Sequence, residues 1–275
     1  PLESSLELYY KFIELCYSIK TNDYDMIPDS KSTYDFMIKY IKNKSNGTIF
    51  TLERLTLDWT NKMILNYTEH EVNHFRPMVK NKFKPIPMSR CKYINIAYVS
   101  RDFWNRPTGQ LMNQLLKYAK IKKDQDLILV HHLIQVGQDR QDDINNNLKK
   151  YANTYTKVPT LQDVPIVMKR LNISILIDAT GLMANNNLDI ISQKLVPIQI
   201  SWLAYPGTLG MKEMDYIVAD KYVIPEDQKQ DYSEKVIYMP ECYQINDDFM
   251  PYHQYNRIAL DPNMSICPKN KILIG

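Results

Sequence analysis

The sequence has few cysteines, and none of them is spaced for a disulfide framework or a metal site. Its four cysteines, Cys16, Cys91, Cys242 and Cys267, lie far apart and form no CxxC pair. A reducing compartment is therefore the simpler interpretation, and we expect a cytoplasmic protein that in a eukaryote could also enter the nucleus. Its five histidines show no HExxH or comparable spacing, so we expect no metal ion and no bound cofactor.

An excess of charge of one sign is also absent. The 34 basic and 31 acidic side chains leave a net charge of only +3, which argues against a nucleic-acid or membrane-surface protein. No apolar run approaches the ~20 residues that span a bilayer, and no charged-then-apolar leader opens the chain. We therefore expect neither nucleic acid nor a membrane among the partners of this protein.

Residues 1–90 are predicted to be mainly helical, as a cap or a linker. Apolar residues recur at helical spacing over Leu6–Lys20, and further helical stretches are predicted over Thr33–Lys42 and Thr51–His74. A connector with two prolines at 83–87 (FKPIP) then closes this region.

From Tyr93 the pattern changes to strands that alternate with helices. We predict strands at Ile94–Val99, Leu127–Ile134, Thr154–Val158, Ile173–Asp178, Pro197–Trp202 and Met214–Ala219, and helices at Gly109–Lys120, Asp142–Tyr151 and Leu161–Leu171. This alternation predicts an α/β fold over residues 91–275, a Rossmann-like lobe with a mostly parallel sheet.

Ligands of such sheets bind outside the carboxyl ends of the strands, which selects the segments 100–110, 179–187 and 204–210. The first segment carries Asp102 as a carboxylate, Arg106 as a group for phosphate or substrate oxygens, and Thr108 at the start of a helix. The alternative is a capped turn, with Thr108 as the N-cap residue and Asp102 paired to Arg106 or Arg101. The residues alone leave both interpretations open.

The other two segments are rich in turn residues. Gly181 would let the backbone approach a ligand closely, beside an asparagine-rich stretch, and Pro206–Gly207 is a strong turn signal directly after a core strand. Ordinary loops are the alternative interpretation of both. The sequence has no GxGxxG and no Walker A loop, so it lacks a dinucleotide or ATP fingerprint.

Three ordered blocks carry a resemblance to a known family: 197–208 (PIQISWLAYPGT), 214–220 (MDYIVAD) and 232–240 (YSEKVIYMP). In sequence and spacing they resemble the catalytic core of the protein O-linked N-acetylglucosamine transferases and the related SPINDLY-type enzymes, glycosyltransferase family 41. The similarity runs from about Tyr93 to the end of the chain. The stretch 241–247 also looks like the following loop of the bacterial members.

The resemblance implies the first lobe of a GT-B fold, in which two Rossmann-like lobes enclose the active site. It further implies inverting transfer of N-acetylglucosamine from UDP-GlcNAc to Ser or Thr hydroxyls of protein substrates, without a metal. A SPINDLY-type O-fucosyltransferase is the alternative within enzymes. Because 271–275 (KILIG) resembles the strand before the second, nucleotide-binding lobe, we expect that lobe to be missing after residue 275 and the chain alone to turn over little substrate.

Carried over residue by residue, the resemblance implies a site on the three segments. It implies catalytic roles for Asp102, Arg106 and Thr108, and substrate contacts from Asn105, Pro107, Gly181, Leu203, Ala204, Tyr205 and Pro206. Asn105, Pro107 and Thr108 match the family's Asn-His-Pro-Thr turn, which lies against the sugar.

Four residues beside the expected cleft depart from the family pattern. Arg106 and Thr154 stand where the family or many of its members have histidine, Leu182 replaces a tyrosine, and Ala204 replaces a glycine. A guanidinium cannot act as a base near neutral pH, although it can bind phosphate. A catalytically inactive, protein-binding scaffold is therefore the alternative outside enzymes.

Overall fold

The computed structural model describes residues 35, 60–75, 93–121, 128–183 and 186–245. The strands are β1 (Tyr93–Ser100), β2 (Ile128–Val136), β3 (Thr154–Val158), β4 (Ile175–Asp178), β5 (Ile198–Ser201), β6 (Tyr216–Ala219) and β7 (Lys235–Tyr238). The α-helices are α1 (Asn61–Phe75), α2 (Pro107–Ile121), α3 (Asp143–Tyr151), α4 (Val164–Arg170) and the single turn α5 (Leu188–Ile191). Short 3-10 helices occupy Leu161–Asp163 and Glu226–Asp231.

All seven strands belong to one parallel sheet with the order β3-β2-β1-β4-β5-β6-β7. The chain starts in the middle at β1, adds β2 and β3 on one side, and then returns across β1 to add β4 to β7 on the other. This is the order of a Rossmann-like lobe, so the predicted fold class is confirmed. The order reverses between β1 and β4, and the carboxyl ends of these two strands therefore form the switch point at which such sheets bind ligands.

Helices cover both faces of the sheet, which explains why its central strands are apolar without alternation. On one face Ala97 and Val99 of β1 pack in a cluster with Val167 and Met168 of α4. On the other face the cluster is formed by the alternate β1 residues and the helices α2 and α3; it includes Ile96, Tyr98, Met112, Leu116 and Leu148. All nine of these side chains are less than a tenth exposed.

The predicted elements between 93 and 219 are present, with ends that differ by a few residues. The segment predicted as one helix over Leu161–Leu171 is a 3-10 turn followed by α4, because the Asp163 carboxylate accepts the Thr160 backbone N–H and starts a separate turn. Strand β7 was not predicted. It is a short edge strand with alternating exposure. The sequence marks its residues only as part of the block 232–240.

One helix of the predicted helical region is described. The prediction for Thr51–His74 is met by α1, which starts ten residues later, whereas the predicted helices over 6–20 and 33–42 lie outside the described residues apart from the helical Asp35. The buried face of α1 contributes Val72 to a cluster with Leu182 and Tyr205 from the loops after β4 and β5. Helix α1 therefore lies against two of the three candidate segments. The boundary at residue 90 stays a prediction.

Candidate active site at the carboxyl edge of the sheet

Helix α2 begins two residues earlier than the capped-turn interpretation requires. Pro107 is its first residue, and the Arg106 carbonyl accepts the Gln110 N–H at 2.9 Å, so Arg106 occupies the N-cap position. Proline is favoured at the first helical position because its missing N–H would have no partner there. Thr108 therefore lies inside the first turn, at the start of the helix as expected, and the alternative in which it is the N-cap is wrong.

The capped-turn alternative also offered Asp102 an ion pair with Arg106 or Arg101, and the pair with Arg106 is absent although the structure describes both residues. Asp102 is half-buried, and its backbone N–H donates to the Ser100 hydroxyl at 3.2 Å. Asn105, Arg106 and Pro107 are exposed, whereas Thr108 is only 9% exposed. The turn thus presents an amide, a guanidinium and the open end of a 15-residue helix at the carboxyl end of β1.

The loop after β2 holds this turn in place. The Asp142 carboxylate accepts the Asn105 backbone N–H at 2.8 Å and the Asn145 backbone N–H at 2.9 Å, which caps α3. The fully buried Asn145 amide donates to the Phe103 carbonyl at 2.7 Å. On the strand itself, the buried Gln135 accepts the Phe103 N–H at 3.1 Å. The conformation of 103–105 is therefore set by polar side chains on β2 and α3.

A buried carboxylate organises the switch point. Asp178, the last residue of β4, accepts the Gly181 N–H at 2.8 Å, the Thr180 N–H at 3.3 Å and the Asn187 side-chain amide at 2.7 Å. The same amide lies 3.2 Å from the Val99 carbonyl on β1. Burial raises the Asp178 pKa to about 6, and the three hydrogen bonds oppose that rise. The end of β1 and the loop after β4 are thereby joined.

The loops after β4 and β5 meet at Gly181. Its φ is +61°, and a Cβ placed there would lie 2.4 Å from the Cβ of Tyr205, so only glycine allows this approach. The Trp202 backbone N–H donates to the Asp178 carbonyl at 3.0 Å, which ties β5 to β4. Leu203 is 2% exposed and has a φ of +82°, an unfavourable conformation for a branched side chain.

The site residues predicted from the sequence thus fall on one edge of the sheet. The contacts join the end of β1 to the loop after β4 through Asn187, and β4 and its loop to the end of β5 and its turn through Trp202 and Gly181. Thr154 is the exception. It begins β3 beside His132 in the middle of β2, four residues before the carboxyl end, and its hydroxyl lies 2.8 Å from the His132 ring. Its predicted place beside the cleft is wrong.

The described part of the chain has neither a membrane-spanning helix nor a cluster of metal ligands. No helix there is long and apolar enough to cross a membrane. No group of three or more His, Cys, Asp or Glu side chains in those residues could hold a metal ion. The expectation that the chemistry needs no metal stays a prediction.

Comparison with known proteins identifies the family. The model of "Glycosyl transferase family 41" matches residues 69–271, well over half of the chain. The chain belongs to glycosyltransferase family 41.

Family 41 relatives among curated proteins carry transferase names. The chain is 29% identical over 174 residues to a probable UDP-N-acetylglucosamine–peptide N-acetylglucosaminyltransferase, SEC, of Arabidopsis thaliana, which covers 62% of this chain and 17% of the relative. It is 24% identical over 152 residues to SPINDLY of the same plant, and 28% identical over 154 residues to the Caenorhabditis elegans transferase. The alignments span 54% and 56% of this chain, and 16% and 13% of those relatives. This family 41 chain therefore spans less than a fifth of the length of these relatives.

A solved structure shows the same fold. A mutant of the Thermobaculum terrenum O-GlcNAc transferase superposes with a TM-score of 0.58 at 17% identity, covering 83% of this chain and 41% of that one. The Rossmann-like lobe of the family 41 chain is thus the lobe expected of a GT-B protein.

Sequence reasoning missed the residues that hold the site together. The sequence pattern identifies Asp178 only as the end of a strand and Asn187 only as part of an asparagine-rich stretch. It places Asp142 at the start of a helix and assigns no role to Asn145. One signal was available: an Asp that ends an otherwise apolar strand, with Gly and Asn in the loop that follows, is unusual enough to predict a buried polar junction in a family 41 lobe.

Proposed function

We propose that this family 41 chain is a catalytic lobe of an inverting glycosyltransferase that moves N-acetylglucosamine from UDP-GlcNAc to Ser or Thr hydroxyls of proteins. The observation that carries the proposal is the junction of the end of β1 with the loops after β4 and β5 at the switch point, the edge of the sheet that carries the predicted site residues. The names of the curated relatives, which act on peptides with UDP-N-acetylglucosamine, support the choice of donor and acceptor.

The reaction makes definite demands on the site. The bond from sugar C1 to the diphosphate oxygen breaks, the acceptor oxygen bonds to C1 from the opposite face, and the hydroxyl proton leaves. Positive charge must stabilise the departing UDP, and a base or water must take the proton. Inversion follows from this single displacement.

The turn between β1 and α2 offers groups suited to these demands. The positive end of α2 and the exposed Arg106 guanidinium would favour the developing negative charge of the diphosphate. Asp102 is the carboxylate of the turn, and we assign to it the handling of the acceptor proton. The turn 205–207 would pack against the sugar, held by the contact between Gly181 and Tyr205.

A catalytically inactive, protein-binding scaffold is the second candidate. The observation that favours it is Arg106, because this exposed guanidinium stands where the family has a histidine and cannot accept a proton near neutral pH. If the protein is such a scaffold, the buried polar contacts around Asp178 would serve only to stabilise the fold.

The test is transfer by the full-length gene product. It would be incubated with UDP-GlcNAc and a Ser/Thr-rich peptide, and transfer followed by mass spectrometry, with GDP-fucose as a second donor. The variant Arg106→His is compared with Arg170→His, the same exchange at an exposed position at the opposite end of the sheet, before β4.

Each outcome decides between the candidates. Transfer of N-acetylglucosamine by the natural protein supports the proposal. Transfer of fucose alone would instead make the protein a SPINDLY-type O-fucosyltransferase. Activity gained only in Arg106→His, and not in Arg170→His, indicates a natural protein without turnover on an intact scaffold. If none of the three proteins transfers sugar from either donor, the proposed enzymatic activity is refuted and the protein-binding scaffold is favoured.

A further inference from the structure

Glu234 is a charged side chain buried beneath the β5 turn. It is 3% exposed, and its two carboxylate oxygens accept the Thr208 hydroxyl and the Leu209 backbone N–H, each at 2.7 Å. No Lys, Arg or His among the described residues forms an ion pair with it. Burial raises its pKa, and the hydrogen bonds act against that rise.

The hydroxyl of Thr208 is used to its full capacity. It donates its one hydrogen to Glu234. Its oxygen lies 3.2 Å from the backbone N–H groups of Ser233 and Gly210 and 3.1 Å from the Ser233 hydroxyl. A hydroxyl has one hydrogen and two lone pairs, so no capacity remains. A second link runs from the Tyr232 hydroxyl to the Pro206 carbonyl at 3.3 Å. Hydrogen bonds from side chains therefore join the segments 206–210 and 232–234.

This arrangement is a costly way to obtain stability alone. A carboxylate buried without a cation loses its hydration, and well-packed apolar side chains of similar volume are often as stable or more so. Apolar packing, however, would leave the N–H groups of Leu209 and Gly210 without partners and the turn without a defined conformation. The polar contacts give a single backbone path directly after Tyr205.

We propose that Glu234 and Thr208 are positioning residues that hold the turn Tyr205–Gly207 in the shape needed to bind the sugar. The role of the turn in binding the sugar rests on the proposed function. The hydrogen-bonded link between Glu234, Thr208 and the turn does not rest on it. It also explains why the blocks 197–208 and 232–240 occur together: Thr208 of the first and Glu234 of the second are hydrogen-bonded across 26 positions.

The experiment compares variants that keep or remove the hydroxyl in the full-length protein. Thr208→Val is nearly isosteric and loses it, whereas Thr208→Ser keeps it. Glu234→Gln keeps one acceptor oxygen and is the milder variant if Thr208→Val does not fold, and Glu226→Gln makes the same exchange at an exposed site. Hydrogen exchange of peptides covering 205–212 is measured beside peptides from β1, together with kcat and KM.

We expect Thr208→Val and Glu234→Gln to raise exchange in 205–212 by tenfold or more while β1 stays protected. In these variants KM for the sugar donor should rise at least tenfold, with a smaller change in kcat, and Thr208→Ser and Glu226→Gln should behave like the natural protein. Unchanged exchange in 205–212, or an equal rise in β1, overturns the proposal. If the natural protein transfers no sugar, the proposed function fails. The exchange data alone then decide whether Glu234 and Thr208 hold the turn in one conformation.

Discussion

Asp178 should make the folded protein more stable as the pH falls from about 6 to about 4, the reverse of the usual effect of a carboxylate. Its side chain is 1% exposed at the end of β4, and it is surrounded by neutral donors from Thr180, Gly181 and Asn187. Burial disfavours the ionised form and raises its pKa from 3.8 to about 6.

The sign follows from proton binding. Between pH 4 and 6 the folded state holds a proton on Asp178 that the unfolded chain has released, so stability decreases as the pH rises through this window. The stabilisation is fully present below the unfolded pKa and lost above the folded one. A shift of about two pKa units corresponds to about 3 kcal/mol.

The assay is urea unfolding of the natural protein and of Asp178→Asn at half-unit steps from pH 7 to pH 4. Every other titrating group contributes to both curves, so the difference between the two unfolding free energies isolates Asp178. That difference should shift in favour of the natural protein by about 3 kcal/mol as the pH falls, with most of the change between pH 6 and 4. A difference that stays constant within about 0.5 kcal/mol would refute the reasoning.

Three further predictions concern glycine, histidine and a strained leucine. Gly109→Ala should destabilise the protein by about 2 kcal/mol in urea unfolding, although alanine favours helices, because the new Cβ would lie 2.0 Å from the Trp104 carbonyl oxygen. Burial holds the pKa of His131 and His132 below 6.5, so stability should fall as the pH drops through 6.5, and His131→Gln should flatten that dependence in the same titration. Leu203→Gly should be about 1 kcal/mol more stable in thermal unfolding than Leu203→Ala, reversing the usual order, because its φ is +82°.

Each of these has a result that would contradict it. A stabilised Gly109→Ala would mean that the turn yields to the added carbon. Parallel pH curves for the natural protein and His131→Gln would remove the histidine argument. An alanine variant at Leu203 as stable as the glycine variant would show that the backbone carries no strain there.

The strands of the central sheet could be predicted because they are buried on both faces. Residues 96–99 and 175–177 are apolar at successive positions, a pattern that a half-exposed strand would not show. The edge strand β7 was missed because only every second side chain is covered, over four residues. The start of α2 was misplaced because a Pro at the first helical position and a Thr at the N-cap predict neighbouring boundaries, and propensity alone does not decide between them.

The sequence by itself determined the alternation of strands and helices, and with it the edge of the sheet at which the polar segments lie. Local periodicity and turn chemistry contain that information, since they depend on residues a few positions apart. Only the tertiary structure decided which polar groups meet. Asp178 reaches Asn187 over nine positions, that amide reaches Val99 over 88, and Glu234 reaches Thr208 over 26. A buried carboxylate survives only where donors from distant segments converge on it, and no local pattern records that convergence.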